Sequence, residues 1–152
     1  YDGALYQFPC PIQEFTDNGF EIQEENSDMV IGAGDTGRAE LMKDKQRIRV
    51  SVKNFAPYAT VLENCFIIEL DEHDFGANSN SSMVFPGGIT FGSSEEEVLA
   101  AIADYNYDSS ESGKSTYYYV YGPDEYSTYG YQIIVEDGKV TSLRARQADI
   151  NW

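Results

Sequence analysis

Between Gly88 and Arg146 the hydrophobic period changes once, from helical to strand-like, and no other feature narrows the fold as much. In "GSSEEEVLAAI" Val98, Leu99 and Ile102 recur at helical spacing, with Ala100 and Ala101 between them, so one stripe is apolar and the glutamates face water. Ser93 or Ser94 can accept a hydrogen bond from the open amides of the first turn while Glu96 or Glu97 reaches back, the S-x-x-E spacing of a capping box. Negative side chains also favour the positive end of the helix dipole. The three glutamates therefore begin a helix and are not a metal or catalytic cluster. Further on, "STYYYVYG", "YGYQIIVEDG" and "KVTSLRARQ" are rich in β-branched and aromatic residues, and Asp137-Gly138 between the last two signals a tight hairpin. The second half reads helix, strand, strand, strand.

The first half follows the same plan less regularly. "FPCPIQEFTDNGF" sets Phe8, Ile12 and Phe15 on one helical face, with Pro11 suited to a first turn and Asn18-Gly19 to a stop. Strands are expected in "FEIQ", "DMVIGAG", "RAELMKDKQ" and "RIRVSVKNF", where Ile48, Val50 and Val52 alternate with polar neighbours, and "TVLENCFIIEL" adds one more. Phe8 to Phe15 and Phe91 to Val98 each open on Phe and carry a Glu followed by an apolar residue. The expected fold is α+β, a tandem pseudo-repeat of one helix packed on a small antiparallel sheet. Its halves are residues 1–75 and 84–152, able to pack as one compact domain, with "DEHDFGANSNSSMVFPGG" as the joint.

Charge limits the partners. A net charge of −16 repels a polyanion, which excludes nucleic acid and an anionic membrane surface. No apolar run reaches the roughly 18 residues that would cross a bilayer. The chain opens on Tyr1 rather than Met, so an upstream segment is expected, an export signal among the candidates. Cys10 and Cys65 fit either one disulfide or two buried thiols, and their number does not decide. A bridge would close a loop of about 55 residues and stabilise by roughly 4 kcal/mol in the chain-entropy view. A nucleophilic cysteine is not indicated, because nothing marks the one histidine, His73, as its base.

"GGITFGSSEEEVLAAI", "YYYVYG" and "YQIIVEDGKVTSLRAR" resemble the SmpA/OmlA type of small bacterial lipoprotein domain. There a G-x-[ST]-x-G-x-[ST]-x-x-E-V pattern, here Gly88 to Val98, opens a helix, and an "edGkV" turn closes the last hairpin. Ala103-Asp104-Tyr105 stands where that pattern has a glycine-containing helix stop. The whole chain, with "YQFPCPIQEFTDNGF" and "PGGITFGSSEEEV", is similar to uncharacterised secreted lipoproteins of Gram-positive gut bacteria, and its tandem layout is similar to the β-lactamase inhibitor protein. These resemblances imply export, attachment through an upstream lipidated cysteine, no cofactor, and binding of an envelope protein or glycan rather than catalysis. Any membrane association would come only through that lipid anchor.

Tyrosine is the sharpest compositional signal. Tyr117, Tyr119 and Tyr121 alternate on one segment and Tyr126, Tyr129 and Tyr131 follow closely, so several rings could share one sheet face as a binding platform. The plainer alternative is that they cover the helices or fill cross-strand pairs. "DYNYDSSE" gives Asp104, Asn106 and Asp108 the opening spacing of a calcium loop, but Ser109 replaces the turn glycine and Ser115 the bidentate glutamate, which favours a polar loop. "DEHD", Asp71 to Asp74, is too poor in ligands for structural zinc and reads as a solvated loop. "GAGDTG", Gly32 to Gly37, lies between strand-like segments and reads as a turn. No nucleophile elbow, phosphate loop or H-E-x-x-H helix is present. The reading is a non-catalytic extracytoplasmic binding module with neither catalytic nor metal-binding residues. Its alternatives are an envelope-glycan hydrolase using paired carboxylates and a structural spacer.

Overall fold

The computed structural model describes residues 3–44, 46–73, 83–121 and 130–146. These form an α+β protein in which antiparallel strands predominate and helices are few and short. The chain divides into two compact units, one from Ala4 to Asp71 and one beginning at Glu72.

In the first unit the helix expected from Phe8 begins only at Ile12. Pro9 and Pro11 lack amide hydrogens and bias their predecessors toward extended backbone. Cys10–Pro11 accordingly form a short strand, β1, before helix α1, Ile12–Asp17. Ile12 and Phe15 are fully buried on one face of α1, and Phe15 stacks on Tyr6 with ring centroids 4.0 Å apart. Next come β2 (Glu21–Ile22), a turn of helix α2 (Glu24–Ser27) and β3 (Val30–Ile31). The main hairpin follows as β4 (Thr36–Lys43) and β5 (Gln46–Lys53). Register sets Ala39 opposite Val50 and Leu41 opposite Ile48, all four buried, as strand alternation requires. On the other face Glu40 holds both Arg47 and, at 3.5 Å, Arg49.

"TVLENCFIIEL", expected as one strand, is broken. Thr60–Val61 is β6 and pairs with β3, Leu62–Asn64 makes a single 3-10 turn, and Phe66–His73 is β7, paired with β5 and β1. The turn lets one segment serve two pairings and points Leu62 fully inward. A bulge opposite Ser51 and Val52 adds Ile68 to β7, so Ile67 and Leu70 share the buried face although three positions apart. Asp71, Glu72 and His73, expected in a solvated loop, are the end of β7, where Asp71 lies opposite Arg49 in the ladder. That pairing of opposite charges favours Asp71 in a strand, and Glu72 is buried rather than solvated. Asp74 lies outside the described residues.

Asn54 ties this unit's loops together and is only 1% exposed. Its Nδ2 donates to the carbonyls of Ile31 (3.0 Å), Gly32 (3.0 Å) and Tyr58 (2.7 Å), and its Oδ1 accepts from the Ala56 amide at 2.8 Å. The "GAGDTG" segment is the turn held by this side chain, with Asp35 N–H donating to Gly32 at 3.1 Å.

The second unit opens with a 3-10 turn at Pro86–Gly88 and then α3, Glu95–Ile102. The capping box uses Ser94 and Glu97. Ser94 Oγ accepts from the Glu97 amide at 3.2 Å, and Glu97 Oε2 accepts from the Ser94 amide at 2.7 Å. Val98 and Ile102 are fully buried, whereas Leu99, expected in the same stripe, is 40% exposed. Four antiparallel strands follow in spatial order: β8 (Tyr107–Ser112), β9 (Ser115–Val120), β10 (Tyr131–Glu136) and β11 (Lys139–Arg146). Asp137 and Gly138 both adopt positive φ, 49° and 76°, the geometry of a primed hairpin turn. That hairpin anchors α3, since the Glu95 amide donates to Gly138 at 3.2 Å and Gly92 and Ser93 exchange bonds with Val140.

Candidate functional site: the tyrosine row of the second sheet

Successive side chains on β9 point to opposite faces. Tyr118 and Val120 are buried, and the Tyr118 hydroxyl donates to Glu95 Oε1 at 2.6 Å, which identifies their face as the one covered by α3. Burial first, and the Glu95 carboxylate second, drive the Tyr118 phenol well above its ordinary pKa. Tyr118 is thus a clamp between sheet and helix, a role its neighbours in "TYYYV" conceal from a reading by composition.

Tyr117, Tyr119 and Tyr121 have the opposite parity and are half-buried. The Tyr121 amide donates to the Asn106 carbonyl at 2.8 Å, so the ladder, and with it the alternation, continues through Tyr121. On the β8 side Ser110 lies opposite Tyr117 and Asp108 opposite Tyr119; on the β10 side Ile134 and Gln132 fill the same places. Exposure on this face runs from exposed Asp108 and Ser110, through the half-buried rings, to a mixed far side where Gln132 and Ser142 are buried and Ile134 and Arg144 half-buried. The Tyr121 hydroxyl donates to Asp108 Oδ2 at 2.9 Å, and that bond is the first cause of its raised pKa. The row therefore combines ring faces, hydroxyls and a carboxylate beside small serines.

Tyr131 does not join it. Its place opposite Val120 gives it the parity of the helix-covered face. There its ring meets Phe85 at 5.2 Å and Tyr105 at 6.3 Å between centroids, and burial pushes its phenol up to about 12. Tyr126 and Tyr129 lie outside the described residues.

The other candidates fall elsewhere. Asp108 belongs to β8 and holds Tyr121, and Asn106 gives its carbonyl to the same residue, so a strand stands where a polar loop was expected. Among the described residues no three of His, Cys, Asp and Glu converge as a metal site. Cys10 and Cys65 are both buried free thiols. Burial, with Glu14 nearby, pushes Cys10 up to about 12, and burial, then Glu63, raises Cys65. Both are protonated at neutral pH and poor nucleophiles. In the first unit Thr36, Gly37, Arg38, Ser51, Ile68 and Glu69 line a shallow depression of about 440 Å³. Arg38, Ser51 and Glu69 form one cross-strand row there, carrying both signs of charge.

Glu97 is displaced downward, chiefly by its bonds to the Ser94 backbone and hydroxyl, the reverse of what a general acid needs. Comparison of the chain with protein families, curated protein sequences and solved structures finds no match.

Proposed function

We propose that this chain is a non-catalytic extracytoplasmic binding module of a bacterial envelope lipoprotein, and that an envelope protein or glycan docks on the row Tyr117, Tyr119 and Tyr121. The observation that carries the reading is the parity of β9: three phenols share the face away from α3, beside exposed Ser110 and Asp108. Tyrosine gives a large rigid contact surface at little entropic cost, with a hydroxyl for orientation. Neither Tyr117 nor Tyr119 lies on the helix-covered core face, so contact with a partner would not disturb that core.

The fold reading that accompanies this function is a tandem repeat like those of SmpA/OmlA-type domains and the β-lactamase inhibitor protein. Its support is that α1 precedes the β4–β5 hairpin in one unit and α3 precedes the β8–β9 and β10–β11 hairpins in the other. The test is recovery of partners from envelope extract by wild type and by a Tyr117→Ser, Tyr119→Ser, Tyr121→Ser variant whose fold is verified by circular dichroism. Loss of a partner from the variant supports the proposal; equal recovery of every partner by both proteins removes it.

A further inference from the structure

Strand β8 ends the order of strands in its unit, and all six of its residues are exposed. The Tyr121-to-Asn106 bond fixes the phase of the ladder. With Asp108 opposite Tyr119 and Ser110 opposite Tyr117, residues 106, 108, 110 and 112 turn their backbone groups toward β9. Tyr107, Ser109 and Glu111 then turn theirs outward. Among the described residues no strand pairs with this edge. The β8–β9 register is unbroken by a bulge, and β8 contains no proline, so two devices that commonly close an edge are missing.

Charge selects what can use it. Asp108 and Glu111 lie on the strand and Asp104 just before it, within a chain of net charge −16. A second copy is repelled and a cationic segment attracted. Ser110 and Ser112 are short and share their face with Asp108, so cationic side chains arriving there can reach across Ser110 to the ring of Tyr117 and past the Asp108 carboxylate to Tyr119. We infer that the outer edge of β8 takes up an extended, cationic segment of a partner protein as an added antiparallel strand. This rests on the binding-module reading and names the chemistry of its partner.

The test measures, by fluorescence anisotropy, binding of a labelled peptide of about eight residues, enough for one strand, alternating arginine with valine and threonine. Two forms of it are N-methylated on alternate residues, one set for each backbone edge. The protein is the whole chain, as wild type, Ser109→Pro, Asp108→Asn/Glu111→Gln and the triple tyrosine variant. Ser109→Pro removes an outward amide and leaves the pairing with β9 intact. It is expected to weaken binding roughly tenfold, as loss of about one main-chain bond predicts. Only one of the two N-methylated peptides should fail to bind, and neutralising the two carboxylates should weaken binding several-fold.

Equal binding of both N-methylated peptides overturns the inference, because charge alone would then suffice. Unchanged affinity in a folded Ser109→Pro variant does the same, as does self-association of wild type that this substitution abolishes. Should Ser109→Pro unfold, the paired N-methylated peptides on wild type decide. If the triple tyrosine variant binds the peptide as wild type does, and one N-methylated form still fails, the edge holds and the tyrosine row falls. If the triple variant loses its envelope partner while both N-methylated peptides bind equally, the row stands and the edge falls.

Discussion

Replacing Asn54 separates hydrogen-bond direction from mere space filling. Asn54→Ala withdraws a donor from the carbonyls of Ile31, Gly32 and Tyr58 and an acceptor from the Ala56 amide. The Ile31 contact is buried and the other three are part-buried, and the Gly32 carbonyl keeps the Asp35 amide, so at about 1–3 kcal/mol for a buried group left unpaired the sum is about 2 kcal/mol. Asn54→Asp preserves the shape and the acceptor toward Ala56, but it sets an oxygen where the amide now meets three carbonyls at 2.7–3.0 Å. An ionised carboxylate there is repelled, so the folded protein favours the protonated acid and its pKa rises above the unfolded value of about 3.9. The folded state then binds more protons than the unfolded one, and stability falls as pH rises through and above about 4. Urea unfolding followed by far-ultraviolet circular dichroism at pH 4 and pH 7 should find Asn54→Asp more stable than Asn54→Ala at the lower pH. At the higher pH it should be equal or worse. An alanine penalty below about 1 kcal/mol, or a gap between the variants that ignores pH, would refute the reasoning.

Other consequences follow from the second unit and the thiols. Gly87 has φ +84°, and a Cβ there would lie 2.5 Å from Ala101 Cβ. Gly87→Ala should therefore cost about 3 kcal/mol in chemical denaturation, with part recovered by adding Ala101→Gly. Ser94→Ala should cost about 1 kcal/mol. The Glu97 pKa is lowered first by the Ser94 backbone amide, which alanine keeps, and second by the Ser94 hydroxyl, which it removes. Only the hydroxyl's share of that stabilisation is complete above the ordinary value and lost as pH falls through the depressed one, so the Ser94→Ala penalty should shrink only slightly in acid. Tyr118→Phe removes the bond to Glu95 and should cost about 2 kcal/mol in thermal or urea unfolding while leaving peptide binding unchanged. Cys10 and Cys65 should resist a thiol reagent at neutral pH and react promptly in urea; rapid labelling of the native protein would contradict their burial.

What could be read from the residues depended on whether one side of each element was buried. The helix at Glu95 and the turn at Asp137-Gly138 were legible separately, because a capping box and a primed turn are local chemistry. Their mutual attachment, through Glu95 to Gly138 and Gly92 to Val140, was not, since backbone bonds between distant segments leave no mark in composition. Strand β8 was invisible for the opposite reason. All six of its residues are exposed, so it has no apolar alternation, and the calcium-loop spacing of Asp104, Asn106 and Asp108, broken at Ser109 and Ser115, points to a polar loop instead. In "TVLENCFIIEL" a bulge and a 3-10 turn interrupt the period, and both answer to partners in other segments. The tyrosine row was half legible. Alternation places Tyr117, Tyr119 and Tyr121 together from the sequence alone, but Tyr131 could be assigned to the other face only once its register against Val120 was known.

Hydroxyl-radical footprinting, read residue by residue by mass spectrometry on the free protein and on the protein bound to envelope extract, bears most directly on the two-faced β9. Tyr117, Tyr119 and Tyr121 should be oxidised in the free protein and protected in the bound state, while Tyr118 is oxidised in neither. Oxidation of Tyr118 as rapid as that of its neighbours, or a row whose labelling the extract does not change, would contradict the account.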